Sequence, residues 1–219
     1  MLFGKIDFIN LLPFHIFLKR APLQNALKQS INYKKGTPSA LNHQLKRRKI
    51  DAAVISSIES TRKSYKTIDM GIVAKKHVTS VLVKKGVYQK DPASATSNAL
   101  AKVLGVEGEV IIGDRALRAY LAAPHEYVDL AKLWNEKTGL PFVFARLSVN
   151  KDHHFYRRLA QNFLRHKIRI PHYILEAYAK ERHIPAKEIL SYLTLISYTL
   201  GFKEKKALKR FIKEASRLA

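Results

Sequence analysis

Three times within its first 60 residues the chain passes between a short apolar strand and a helix, and this alternation restricts the architecture more than any other feature. The opening stretch, Lys5–Phe14 (KIDFINLLPF), alternates Ile6 and Phe8 before it reaches Asn10 and is stopped by Pro13. Phe14–Lys28 has a helical pattern that Pro22 breaks or restarts. Ile31–Tyr33 is a second short strand. Gly36-Thr37-Pro38 then starts a helix, with Thr37 as N-cap and Pro38 at the first helical position. Leu41 and Leu45 lie one turn apart on it, it ends in Lys46–Lys49, and Asp51–Ser57 (DAAVISS) follows as a buried strand closing in Ser56 and Ser57. This rhythm specifies an α/β fold with a parallel sheet.

In open α/β sheets, ligands bind at the carboxyl edge of the strands. Asn10 either presents its amide at such an edge or only satisfies a turn. Further along, Gly71–Val83 (GIVAKKHVTSVLV) is a long extended run with Ser80 set among Val78, Val81 and Val83. Ser94-Ala95-Thr96-Ser97 opens a helix at Asn98–Leu104, where hydroxyls and free N–H groups either receive an anion or act as ordinary caps. Glu109–Asp114 (EVIIGD) reads as a buried strand ending in Gly113 and Asp114, and Arg115–Leu121 as a helix. Tyr127–Lys137 reads as an amphipathic helix carrying Trp134 and closed by Gly139. The strand Phe142–Val149 precedes four helical segments: Phe155–His166, Pro171–His183, Pro185–Leu200 and Lys203–Leu218. The extended segments near Val78–Val83 and Phe142–Leu147 bracket a middle portion. That is the pattern of a chain that crosses to a second lobe and returns, with a cleft gathering the strand ends of both.

Composition bounds the function. With 47% apolar residues in 219, the chain can bury a core. No stretch approaches the roughly 20 apolar residues of a membrane span, and Lys5, Asp7 and His15 interrupt any signal-like run in residues 1–20. A soluble cytoplasmic protein without membrane partners is expected. Without cysteine there is no disulfide, thiolate nucleophile or cysteine metal site. The net charge of +23 is spread along the chain: residues 1–150 hold 24 Lys+Arg against 11 Asp+Glu, and residues 151–219 hold 16 against 6. With no nucleic-acid-binding motif, no nucleic-acid partner is expected, and the diffuse field suits a small anionic substrate. No feature of the sequence sets an oligomeric state.

The sequence has no GxSxG elbow, phosphate-binding loop, GxGxxG fingerprint or HExxH pair. His153 and His154 are adjacent, so on a helix they point about 100° apart and do not form a metal pair. No metal is expected, and no cofactor. His15 either borders the cleft or is a satisfied helix histidine. Asp114 is a candidate acid or base, or a helix cap. What remains is a neutral hydrogen-bonding set: Asn10, Ser56, Ser57, Ser80, Thr96 and Ser97. Such a set binds carboxylates and hydroxyls but supplies no strong base. It fits a receptor for a small anion, or an enzyme whose substrate brings its own reactive group.

The ordered motifs FINLLP (Phe8–Pro13), GTPSALNHQL (Gly36–Leu45), IDAAVISSIE (Ile50–Glu59), VTSVLV (Val78–Val83), SATSNAL (Ser94–Leu100), IIGDRAL (Ile111–Leu117) and DLAKLWNEKTGLPFVFA (Asp129–Ala145) resemble the chorismate dehydratase family, which begins the futalosine route to menaquinone. The related 1,4-dihydroxy-6-naphthoate synthase family shares the fold, but its catalytic histidine motif is not found here. The resemblance implies a two-lobed fold like the type II periplasmic binding proteins, with lobe one at 1–78 plus 145–219 and lobe two at 79–144. It implies loss of water from chorismate to give 3-[(1-carboxyvinyl)oxy]benzoate, by substrate-assisted proton abstraction. Asn10 and Ser80 match the family's functional Asn and Ser. Ser56, Ser57, Thr96, Ser97, Gly113 and Asp114 are the substrate-binding positions it suggests. The chain departs from the family pattern in a short segment between Leu104 and Glu109, in a basic Lys75–His77, and in Arg146 after FVFA, where the charge either meets a substrate carboxylate or lies on the surface. A non-catalytic binding protein of this fold, or the naphthoate synthase activity, is the alternative.

Overall fold

The computed structural model describes residues 1–20, 34–86 and 89–218. The chain runs through β1 (Phe3–Gly4), a 3₁₀ turn at Ile9–Leu11, α1 (Leu12–Arg20), α2 (Pro38–Lys46), β2 (Ala52–Ser56) and β3 (Lys66–Ala74). A second group follows: β4 (Val81–Lys84), α3 (Ala95–Leu104), β5 (Glu109–Ile112), α4 (Gly113–Ala122), β6 (Tyr127–Asp129) and α5 (Leu130–Thr138). The chain then returns through β7 (Phe142–Val149), α6 (His153–Arg165), α7 (His172–Arg182), α8 (Ala186–Thr194), β8 (Ile196–Thr199) and α9 (Phe202–Ser216).

Local signals act where they stand. The Thr37 hydroxyl accepts from the Ala40 N–H at 3.3 Å and Pro38 opens α2, whose Leu41 and Leu45 are buried. Gly139 ends α5 in the left-handed conformation at φ +68°. The expected helix beyond Arg20 and the strand at Ile31–Tyr33 lie outside the described residues.

The strands form two sheets, a five-stranded one in the order β1-β2-β7-β3-β8 and a three-stranded one in the order β5-β4-β6. Among the described strands, the expected parallel pairing is confined to β1 with β2. Strand β7 returns between β2 and β3 and runs antiparallel to both, because it enters the first sheet from the opposite end. Its central place fits its sequence, since six of its eight residues are buried. At Gly71 a Cβ would collide with the Ala145 carbonyl, so β3 approaches β7 closely there only as glycine.

Other expectations are corrected. The extended run Gly71–Val83 is two strands, with Lys75–Ser80 between them and Thr79 at φ +55°. Tyr127–Asp129 pairs with β4 as a strand, and the helix begins only at Leu130. The helix from Pro185 stops at Thr194. Ile196–Thr199 then adds a strand beside β3, where β-branched and aromatic side chains fit a pleated edge.

One aromatic cluster joins Phe3, Phe14, Tyr156 and Phe163 of β1, α1 and α6. A second packs Trp134 of α5 edge-on against Phe142 and Phe211, so the last helix closes over both the returning strand and the second group of elements. Each such fully buried ring contributes about 2–3 kcal/mol by removal from water. Among the described residues no helix is long and apolar enough to cross a membrane.

Candidate functional site

A cavity of about 70 Å³ lies between the two sheets. Its walls are apolar, with Phe8, Val54, Ile72 and Phe144 among them, and its polar side chains are Asn10, Ser56, Ser80, Ser94 and Ser97. A larger hollow of about 870 Å³ beside α1 and α6 gathers none of these groups.

The Asn10 turn is held from three sides. The Ile9 N–H donates to Asp114 Oδ1 at 3.0 Å, and the Tyr198 hydroxyl donates to the Asn10 carbonyl at 2.7 Å. The Asn10 side chain lies beside the Tyr192 hydroxyl. That hydroxyl also lies 2.9 Å from Ser80 Oγ. Burial pushes the Tyr192 phenol above its ordinary range, and the neighbouring Ser80 and Asn10 only partly oppose this, so it stays protonated.

Ser80 ends the crossover between β3 and β4. Asp129 fixes that crossover: Oδ2 accepts from the N–H groups of Val78 and Thr79, both at 2.8 Å, while Oδ1 caps α5 through Ala131 and Lys132. The Ser80 carbonyl accepts from the Gly113 N–H at 2.8 Å. Gly113 sits at φ +67°, where a Cβ would lie 3.0 Å from the Phe8 ring, so the bend from β5 into α4 requires glycine. Ser56 accepts from Asn42 Nδ2 at 3.2 Å. Ser94 is the N-cap of α3 and donates to Ser97 Oγ at 2.7 Å.

Five of the sequence-predicted residues therefore line the cavity: Asn10, Ser56, Ser80, Ser97 and Gly113. Three sit behind it. Ser57 and Thr96 are buried with their hydroxyls 3.3 Å apart, and Thr96 also accepts from the Ile58 N–H, tying β2 to α3. Asp114 gives its other oxygen to Arg182 Nε at 2.7 Å. Burial raises the Asp114 carboxyl above its ordinary value, although the Ile9 N–H and Arg182 oppose this. Arg182 also reaches the Asp7 carbonyl and stacks over Tyr178 at 4.0 Å. Arg146 turns to Asp69 at 3.2 Å and the Ile68 carbonyl, and does not line the cavity.

The sequence reading did not single out Asp129, Tyr192, Tyr198 or Arg182 as parts of the site. Asp129 carries a legible signal, an N-cap residue just before a helical segment. The other three have none, since their partners are distant in the chain. Asp, Glu, His, Lys, Arg and Tyr are all absent from the described lining residues.

A family model described as menaquinone biosynthesis matches residues 1–109 and 94–217. A curated chorismate dehydratase from Campylobacter jejuni subsp. jejuni serotype O:23/36 (strain 81-176) is 56% identical over 220 residues, covering 100% of this chain and 99% of that protein. The chain belongs to the menaquinone biosynthesis family. For this family member, solved structures define the fold class. A protein from Archaeoglobus fulgidus superimposes with a TM-score of 0.71 at 12% identity, over 99% of this chain and 96% of that one. A Candida albicans gene product described as having the generic periplasmic binding protein fold gives 0.53 at 11% identity, over 99% and 90%. The family member thus has the α/β, two-lobed, periplasmic-binding-protein-like architecture that its motifs imply.

Proposed function

We propose that the chain is a hydro-lyase that converts chorismate to 3-[(1-carboxyvinyl)oxy]benzoate and water. The observation that carries the mechanism is the cavity lining, which offers amide and hydroxyl groups and no ionisable side chain among the described residues. A site of that kind has no base of its own. The substrate's enolpyruvyl carboxylate supplies one, folding back to take the ring C3 proton. The C3–H electron pair becomes the C3–C4 double bond, the C4–O bond breaks, and the departing hydroxide takes the same proton from the carboxylic acid to leave as water, which restores the carboxylate. Aromatisation drives the step.

Apolar walls strip water from that carboxylate and raise its basicity. Ser80 and Asn10 hold the reacting groups and donate to the departing hydroxyl. Ser56 and Ser97 receive carboxylate oxygens, Ser97 from the first turn of α3, where Ser94 holds it. Ser57, Thr96, Gly113 and Asp114 keep these groups in place. We assign lobe one to 1–78 plus 145–219 and lobe two to 79–144; the separate β5-β4-β6 sheet supports this division. A cavity of about 70 Å³ is well below the roughly 300–1,000 Å³ of ligand pockets, so the substrate enters with the lobes apart.

The test is incubation of the purified protein with chorismate, followed by mass spectrometry of the products. A product lighter by one water with an aromatic absorption spectrum is expected, and intact chorismate with folded protein would overturn the reading. Asn10→Ala and Ser80→Ala are each expected to lower kcat/KM by about 10²–10³-fold, as for removal of one positioned donor.

A further inference from the structure

We propose that Tyr192 is a positioning residue for this reaction: its hydroxyl, hydrogen-bonded to Ser80, sets the direction in which Ser80 presents its polar atoms to the cavity. The inference rests on the reading of Asn10 and Ser80 as the groups that meet the substrate. Tyr192 belongs to α8, in the helical part that no sequence motif tied to the site. It is buried, and its hydroxyl lies 2.9 Å from Ser80 Oγ. It is not a lining residue itself, so it acts through Ser80.

A phenol has one proton to give and two lone pairs to receive. When the Tyr192 O–H donates to Ser80 Oγ, the Ser80 proton is free to point into the cavity. The reverse polarity would spend the Ser80 proton on Tyr192 and turn a lone pair toward the leaving hydroxyl. Dehydration needs a donor at that point, so the first polarity is the productive one. Burial keeps the phenol neutral, which rules it out as the base and leaves it the role of orienting its neighbours. Phenylalanine at this position would keep the ring packing and remove only the orienting hydroxyl.

The experiment uses the full chain with chorismate and compares Tyr192→Phe, Ser80→Ala and the double variant, with each rate referred to the folded fraction measured by circular dichroism. Tyr192→Phe is expected to lower kcat by about 10–100-fold, the scale of a small misplacement of reacting groups, with KM within about threefold. In the Ser80→Ala background the same change is expected to lower kcat by less than about threefold, because coupled residues are not additive. A Tyr192→Phe enzyme with wild-type kcat, beside an impaired Ser80→Ala enzyme, overturns the role of Tyr192 alone. So does an equal loss in both backgrounds, which is what a general structural role produces. If Asn10→Ala and Ser80→Ala both keep wild-type kcat/KM, the site assignment falls and this proposal with it.

Discussion

On α1, His15 is buried and neither of its ring nitrogens has a hydrogen-bond partner among the described residues. It neither lines the cavity nor is satisfied on its helix. Burial first, and then the charges of Lys5, Lys19 and Lys35 against that of Asp7, bring its pKa down from 6.5 to about 3. Between those two values the unfolded chain binds a proton that the folded chain refuses. Stability therefore falls as pH drops through that window, by up to about 1.4 kcal/mol per pH unit, and this group adds no slope above pH 6.5. His15→Leu is expected to be neutral or stabilising at pH 7, because no unpaired polar atom remains, and to flatten the acid slope. Urea titrations at pH 7 and pH 5 measure both effects. An unchanged slope in the variant would assign the acid sensitivity to other groups.

At the scale of elements, the crossover from β3 to β4 depends on the cap of α5. Asp129 accepts four backbone N–H groups, two from Val78 and Thr79 and two from Ala131 and Lys132. Asp129→Ala is expected to destabilise by about 2–4 kcal/mol, combining a lost cap with buried donors left unpaired. Because Ser80 follows directly on the anchored residues, kcat should fall as well. Asp129→Asn, which keeps one acceptor oxygen, should recover part of both losses. Denaturant titration with steady-state rates on the same preparations checks this, and full stability in Asp129→Ala would mean that solvent replaces the carboxylate without loss. Helix starts and stops were legible here, at Thr37-Pro38 and at Gly139, because caps satisfy groups within one turn. Strands β6 and β8 were missed because Tyr127–Asp129 and Ile196–Thr199 become strands only beside β4 and β3.

For the whole molecule, the two sheets are joined by bonds between distant groups. Arg182 links Asp114 of α4 to Asp7 near the first strand. Burial alone would raise the Asp7 carboxyl, but Lys5, Lys35, Arg182 and the Tyr178 hydroxyl together hold it below its ordinary value. The chain carries a net charge of +23. For a dianionic substrate, kcat/KM is expected to fall as ionic strength rises from about 0.01 to 0.15 M, where the screening length drops from about 30 to 8 Å, while kcat holds. Rates over a salt series measure this, and a flat kcat/KM would remove steering from the role of the basic surface.

The sequence by itself determined the α/β class, the caps, most strands and helices, and an ordered set of motifs that named Asn10, Ser56, Ser80, Ser97 and Gly113. Those features depend on periodicity and on partners a few residues away. Tertiary structure alone decided that β7 returns antiparallel between β2 and β3, and that Ser57, Thr96 and Asp114 support the cavity without lining it. It alone brought Tyr192 to Ser80, across 112 residues, and Tyr198 to Asn10, across 188. A hydrogen bond forms only at about 3 Å, and no local pattern records which distant groups the closed chain will bring that near.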